Sequence, residues 1–77
     1  MKKFSLIQAE ENEEVTIVSL EAGQMATKRL VDMGLVPGTK IKILRKAPFG
    51  PIEIEVRGSK LALGQGLAAK VFVKNHD

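Results

Sequence analysis

Ile52-Glu53-Ile54-Glu55-Val56-Arg57 alternates a β-branched aliphatic with a charged residue without a break. A period of two puts Ile52, Ile54 and Val56 on one side of an extended chain and the three charges on the other. The stretch is therefore a strand with one face on a core and one in water. Toward the C-terminus, Gly58-Ser59-Lys60 reads as a hairpin turn into the short segment Leu61-Ala62-Leu63. Gly64-Gln65-Gly66 breaks the chain, and Leu67-Ala68-Ala69 reads as one helical or 3₁₀ turn. Val71 and Val73 belong to a last strand, which runs out into a solvated tail, Lys74-Asn75-His76-Asp77. Toward the N-terminus, Thr39 to Lys46 sets Ile41 and Ile43 between Lys40, Lys42 and Arg45, which is a further strand.

Before Thr39 the period changes. Ala26, Leu30 and Met33 fall at i, i+4 and i+7 within Gln24–Met33, while Lys28 and Asp32 take the other side. That is an amphipathic helix of about two to three turns. Gly34 sits where a C-terminal cap belongs, with Leu35 placed to pack back on the helix, and Pro37-Gly38 fits a type II turn. Earlier still, Val15-Thr16-Ile17-Val18-Ser19-Leu20 is rich in β-branched residues and partly alternating, a first strand closed by Glu21-Ala22-Gly23. Glu10-Glu11-Asn12-Glu13-Glu14 forms an exposed turn ahead of it.

The predicted class is mainly β: about five short strands with one short α-helix between the first and second. So many short strands in 77 residues leave exposed edges unless the sheet curls and closes. A strongly bent, SH3-like barrel meets that demand, with the helix over one opening and Leu30 and Met33 plugging the core. The reading is a single domain over residues 1–77, with a core over about 15–74 and flexible ends at 1–9 and 75–77. No cysteine is present, so stability rests on apolar packing, and Val, Ile and Leu dominate a hydrophobic fraction of 44%. The apolar runs are short and charge-interrupted, and Lys2-Lys3-Phe4-Ser5-Leu6-Ile7 meets Gln8-Ala9-Glu10-Glu11 too soon for a signal peptide. A cytoplasmic protein is expected.

Chemistry-bearing groups are sparse. His76 is the sole histidine, one residue from the end, and no serine or threonine has a base near it in sequence. Gly64-Gln65-Gly66 lacks the Lys-Ser/Thr of a phosphate loop, and the glutamate run lacks the imidazole or thiolate that a dedicated iron site uses. No enzyme activity, cofactor or metal site is expected. The net charge of +3 is uneven: two Lys face five Glu over residues 1–21, whereas ten Lys/Arg face four Asp/Glu over 22–77. Lys40, Lys42, Arg45, Lys46 and Arg57 offer a basic face for nucleic acid, a second reading. Among the three Phe, only Phe49, beside Lys46, could stack on a base there.

Two stretches go further. Arg29-Leu30-Val31-Asp32-Met33-Gly34-Leu35-Val36-Pro37-Gly38-Thr39 resembles the helix-to-turn signature of the FeoA family. Ala47-Pro48-Phe49-Gly50-Pro51-Ile52-Glu53-Ile54-Glu55-Val56-Arg57-Gly58 resembles its central hairpin, and Leu61-Ala62-Leu63 its continuation. The likeness runs from about Val15 to Val73. One departure is the loop at Gly50-Pro51, a residue shorter than in many members, so that loop's contacts are not carried over. The resemblance implies a small accessory protein of bacterial ferrous-iron uptake. Its implied partner is FeoB, a transporter with a cytoplasmic GTP-binding domain, on which it would dock without entering the membrane. Related domains end metal-dependent repressors of the DtxR type. The expected contact surface is a groove between the helix and the hairpin loop, using Met25, Arg29, Pro48, Phe49 and Pro51. Phe49 either buries in a partner or folds back on its own core.

Overall fold

The computed structural model describes residues 2–75, in the order β1 (Phe4–Ser5), a 3₁₀ turn (Leu6–Gln8), β2 (Glu14–Leu20), α1 (Gln24–Asp32), β3 (Lys40–Lys46), β4 (Ile52–Val56), β5 (Ser59–Leu63), α2 (Gln65–Ala68) and β6 (Val71–Asn75). The strands form one antiparallel sheet in the order β1-β6-β2-β3-β4-β5. Inward residues of β2 to β6 share a single aliphatic core, among them Val15, Ile17, Ile41, Ile43, Ile52, Ile54, Val56, Leu63, Val71 and Val73. One sheet can enclose one core only by curling around it. The curl stops short of closure: β1 and β5 remain as edges, where a closed barrel was expected.

Two register shifts assist the bend, and both redirect side chains. In β2 the shift lies between Ile17 and Ser19. Val15 and Ile17 point inward, Val18 is exposed, and Leu20 packs against the core again. The partial alternation of this strand is thus regular alternation interrupted by one extra residue. In β3 the shift lies between Ile43 and Arg45. Arg45 then pairs with the exposed Glu53, and Lys46 pairs with the buried Ile52, so Lys46 turns to the inner side. Unbroken alternation would have put it outside with Lys40 and Lys42.

Helix α1 ends in a Schellman arrangement. The N–H of Gly34 donates to Val31 O at 2.9 Å and that of Leu35 to Leu30 O at 2.9 Å. Gly34 has φ +87°, a conformation that a Cβ resists. The cap folds Leu35 back beside Leu30, both fully buried, while Met33 is only half-buried. A turn over Val36–Thr39 follows, closed by Thr39 N–H on Val36 O at 3.1 Å, and delivers the chain to β3.

Other sequence expectations need correction. The core starts well before residue 15: Leu6 and Ala9 are fully buried, and β1 pairs with β6 through Phe4↔Val73. Residues 4–9 are therefore part of the folded core, with Ser5 capping the 3₁₀ turn reciprocally with Gln8. Such short cues, Ser-Leu-Ile-Gln without periodicity, are easily read as a flexible start. The β4–β5 turn is Arg57-Gly58, not Gly58-Ser59-Lys60, because Val56 pairs directly with Ser59. Both turn residues have positive φ, +51° and +82°, the signature of a two-residue type I′ hairpin. Strand β6 runs on to Asn75, further than the tail reading allowed.

Candidate interaction surface

The β3–β4 loop, residues 47–51, presents the most exposed apolar side chain described. Phe49 is fully accessible, at 101% of its reference area. It does not fold back on the core. Pro48 and Pro51 restrict the backbone on either side. Gly50 permits a tight return, since a Cβ there would meet the Cβ of Ala47 at 2.9 Å. The loop is also tied sideways: Gln65 Nε2, at the start of α2, donates to Pro48 O at 3.3 Å. A rigid loop thus displays an aromatic ring to solvent.

The other expected contact residues lie on α1. Met25 is 82% exposed and Arg29 is exposed on the same helix. Helix α1 leads into the Lys40 end of β3, whereas the Phe49 loop leaves from the Lys46 end. The loop's hydrogen-bonded neighbour is α2. The five residues therefore form two exposed groups, Pro48-Phe49-Pro51 and Met25 with Arg29, on elements at opposite ends of one strand.

The basic residues have different partners. Lys46 Nζ donates to Ile7 O at 2.8 Å and Ala9 O at 2.7 Å, and its N–H donates to Glu11 Oε2 at 2.8 Å. It is committed to holding the N-terminal segment. Lys42 shares rungs with Glu14 on β2 and Glu55 on β4, and Arg45 shares one with Glu53. The glutamate run is likewise partly structural, since Glu13 Oε1 accepts from Glu10 N–H at 2.9 Å. Lys3 bridges to Glu21, and its ammonium lies 5.3 Å from the centroid of Phe72. The hydrogen bond from Lys3 holds the Glu21 carboxyl below the usual carboxylate range. His76 lies outside the described residues.

The FeoA domain model matches residues 4–75, almost the whole chain. The chain belongs to the FeoA family. It is 42% identical over 72 residues to the Fe(2+) transport protein A inferred in Methanocaldococcus jannaschii, covering 94% of this chain and 87% of that protein. A crystal structure of an iron uptake regulatory protein, FeoA, superposes with a TM-score of 0.91 at 36% identity, covering 97% of this chain and all of the other. The solution structure of a FeoA-like protein from Clostridium acetobutylicum gives 0.88 at 30% identity, over 97% and 88%. A manganese-dependent transcriptional repressor shares the fold, with a TM-score of 0.89 at 16% identity over 42% of its length.

The FeoA match starts at residue 4, eleven residues before the strand at which sequence resemblance begins. That agrees with the buried Leu6 and Ala9. Lys46 is the residue that sequence reasoning misassigned; the only signal of the bulge in the sequence is the adjacent pair Ile43-Leu44, which breaks the alternation of β3. Among the described residues, no helix is long and apolar enough to cross a membrane.

Proposed function

We propose that this FeoA-family chain is a cytoplasmic accessory protein of ferrous-iron uptake that docks on a FeoB-type transporter through the Phe49 loop. The observation carrying the docking surface is the fully exposed Phe49 ring on a loop stiffened by Pro48 and Pro51. Solvent gains nothing from such a ring, and a partner pocket would bury it with little ordering penalty because the loop is already fixed. Met25, 82% exposed, with Arg29 beside it on α1, gives a second contact. The iron-transport assignment rests on family membership and on the likeness to a relative named for Fe(2+) transport.

The test is an amide NMR titration of labelled protein with the transporter's cytoplasmic domain, in GDP-bound and GTP-analogue-bound forms. Shifts centred on residues 47–51, with a smaller set on α1, support the reading. Binding that survives Phe49→Ala unchanged would remove the loop from the interface. The same substitution is expected to change folding stability by no more than about 0.5 kcal/mol, because the side chain packs on nothing. Thermal melts check this directly, so lost binding can be separated from lost fold.

A further inference from the structure

Once Lys42, Arg45 and Lys46 are accounted for, two cations on this side stand apart. The β3–β4 pairing ends at Lys42↔Glu55; beyond it Lys40, the first residue of β3, and Arg57, in the β4–β5 turn, line the same surface concavities. Within the sheet Lys40 meets Thr16 of β2. Lys42 thus lies between two carboxylates, whereas Lys40 is paired with a threonine; it shares one concavity with Arg57, Glu14 and Glu55, and a second in which it and Arg57 are the only charged residues. Like charges brought to one concavity repel each other. Among the described residues none of Lys40, Lys42, Arg45 and Arg57 forms a salt bridge, so what distinguishes Lys40 and Arg57 is the groove they share.

Arg57 carries a second local penalty. It occupies the first position of the type I′ turn at φ +51°, where Asn, Asp or Gly is favoured over a long side chain. Strain and charge repulsion therefore coincide at one point. They do so beside a concavity: Val36, Pro37, Gly38, Thr39, Lys40 and Arg57 line a surface groove of about 520 Å³. The two cations flank it, and Val36 and Pro37 supply an apolar wall.

We infer that this groove is an anion-recognition site for an acidic peptide segment of a protein partner, with Arg57 and Lys40 gripping one carboxylate. A guanidinium presents two parallel N–H donors that match a carboxylate, and the lysine adds a point charge. A bound carboxylate turns the Lys40–Arg57 repulsion into attraction and so offsets the local penalty. The apolar wall accepts a neighbouring aliphatic side chain of the peptide. Nucleic acid fits less well: no aromatic lines the groove for base stacking, and two cations neutralise few phosphates. The site is separate from the Phe49 loop and does not depend on the iron-transport reading.

The test uses the full chain and three probes at low salt: an acetylated, amidated Glu-Val-Glu-Val-Glu peptide, inorganic phosphate and a single-stranded oligothymidylate. The peptide is expected to shift the amides of Gly38, Lys40, Arg57 and Gly58. Lys40→Gln and Arg57→Asn should each weaken it about fivefold or more, while Lys42→Gln, equally basic but already flanked by glutamates, changes it less than about twofold. Arg57→Asn suits the left-handed turn, so its loss of binding cannot be put down to misfolding. Equal weakening by Lys42→Gln would mean diffuse charge attraction and overturn the site. Phosphate binding as tightly as the peptide would overturn peptide recognition, and tighter Arg57-dependent binding of the oligonucleotide would make this a nucleic-acid surface instead.

Discussion

Replacing Lys46 with methionine tests the consequence of the β3 bulge. The substitution keeps an unbranched aliphatic stem and deletes the ammonium. Two hydrogen bonds disappear, to Ile7 O at 2.8 Å and Ala9 O at 2.7 Å. Hydrogen bonds to charged groups contribute about 1.5–3 kcal/mol each. Lys46 is half-buried and Ile7 is exposed, so water recovers part of that, whereas Ala9 is fully buried. A total loss of about 1.5–3 kcal/mol is therefore expected, or a fall in Tm of roughly 6–24 °C for a domain of this size. Urea unfolding of the wild type, Lys46→Met and Lys42→Met gives the comparison. Lys42→Met should lose less than about 1 kcal/mol, since only cross-strand charge pairing is removed. Hydrogen exchange should also quicken selectively at residues 5–9 in Lys46→Met, because the bonds removed are those pinning that segment to β3. Equal, small losses in the two variants would refute the inward placement of Lys46 and with it the bulge.

Leu6→Ala should destabilise by about 2–5 kcal/mol, as for any fully buried leucine, and calorimetry showing a loss below about 1 kcal/mol would remove the N-terminal segment from the core. Arg57→Asn should raise stability by a few tenths of a kcal/mol up to about 1 kcal/mol by relieving the positive φ and the repulsion by Lys40, which denaturant melts resolve. The Glu21 carboxyl, held low by Lys3, contributes stability that is present above its unfolded pKa and is lost as pH falls through the folded one. Melting temperature followed downward from about pH 6 to pH 3 should decline more steeply in the wild type than in Lys3→Gln, with the two curves converging at the acid end.

The sequence made the strongest periodic elements legible. Ile52, Ile54 and Val56 are buried as the alternation requires, and Leu30 is buried from the helix while Gly34 caps it in the left-handed conformation. Those features are local: each depends on residues within one element. What escaped depends on pairing between distant segments. Leu6 and Ala9 carry no period because only a two-residue strand and a 3₁₀ turn surround them. The Arg57-Gly58 turn was misplaced by one residue because Arg is a poor sequence cue for positive φ. For Phe49, burial and exposure were both compatible with its prolines, and the exposure came only from the fold.

The basic side chains show most clearly why composition cannot assign a surface. Lys40, Lys42 and Lys46 lie on one strand within seven residues and look interchangeable as charges. Register gives the first two different neighbours, two carboxylates for Lys42 and a threonine for Lys40, which also lines a groove with Arg57. The bulge then sends Lys46 to the other face, where backbone carbonyls hold it. One strand thus contains a lysine flanked by carboxylates, a structural lysine and a lysine that lines an open groove. A nucleic-acid surface needs such charges to act together along a backbone. Here the fold has already divided them, which leaves Lys40 with Arg57 as the pair able to select a single anionic group.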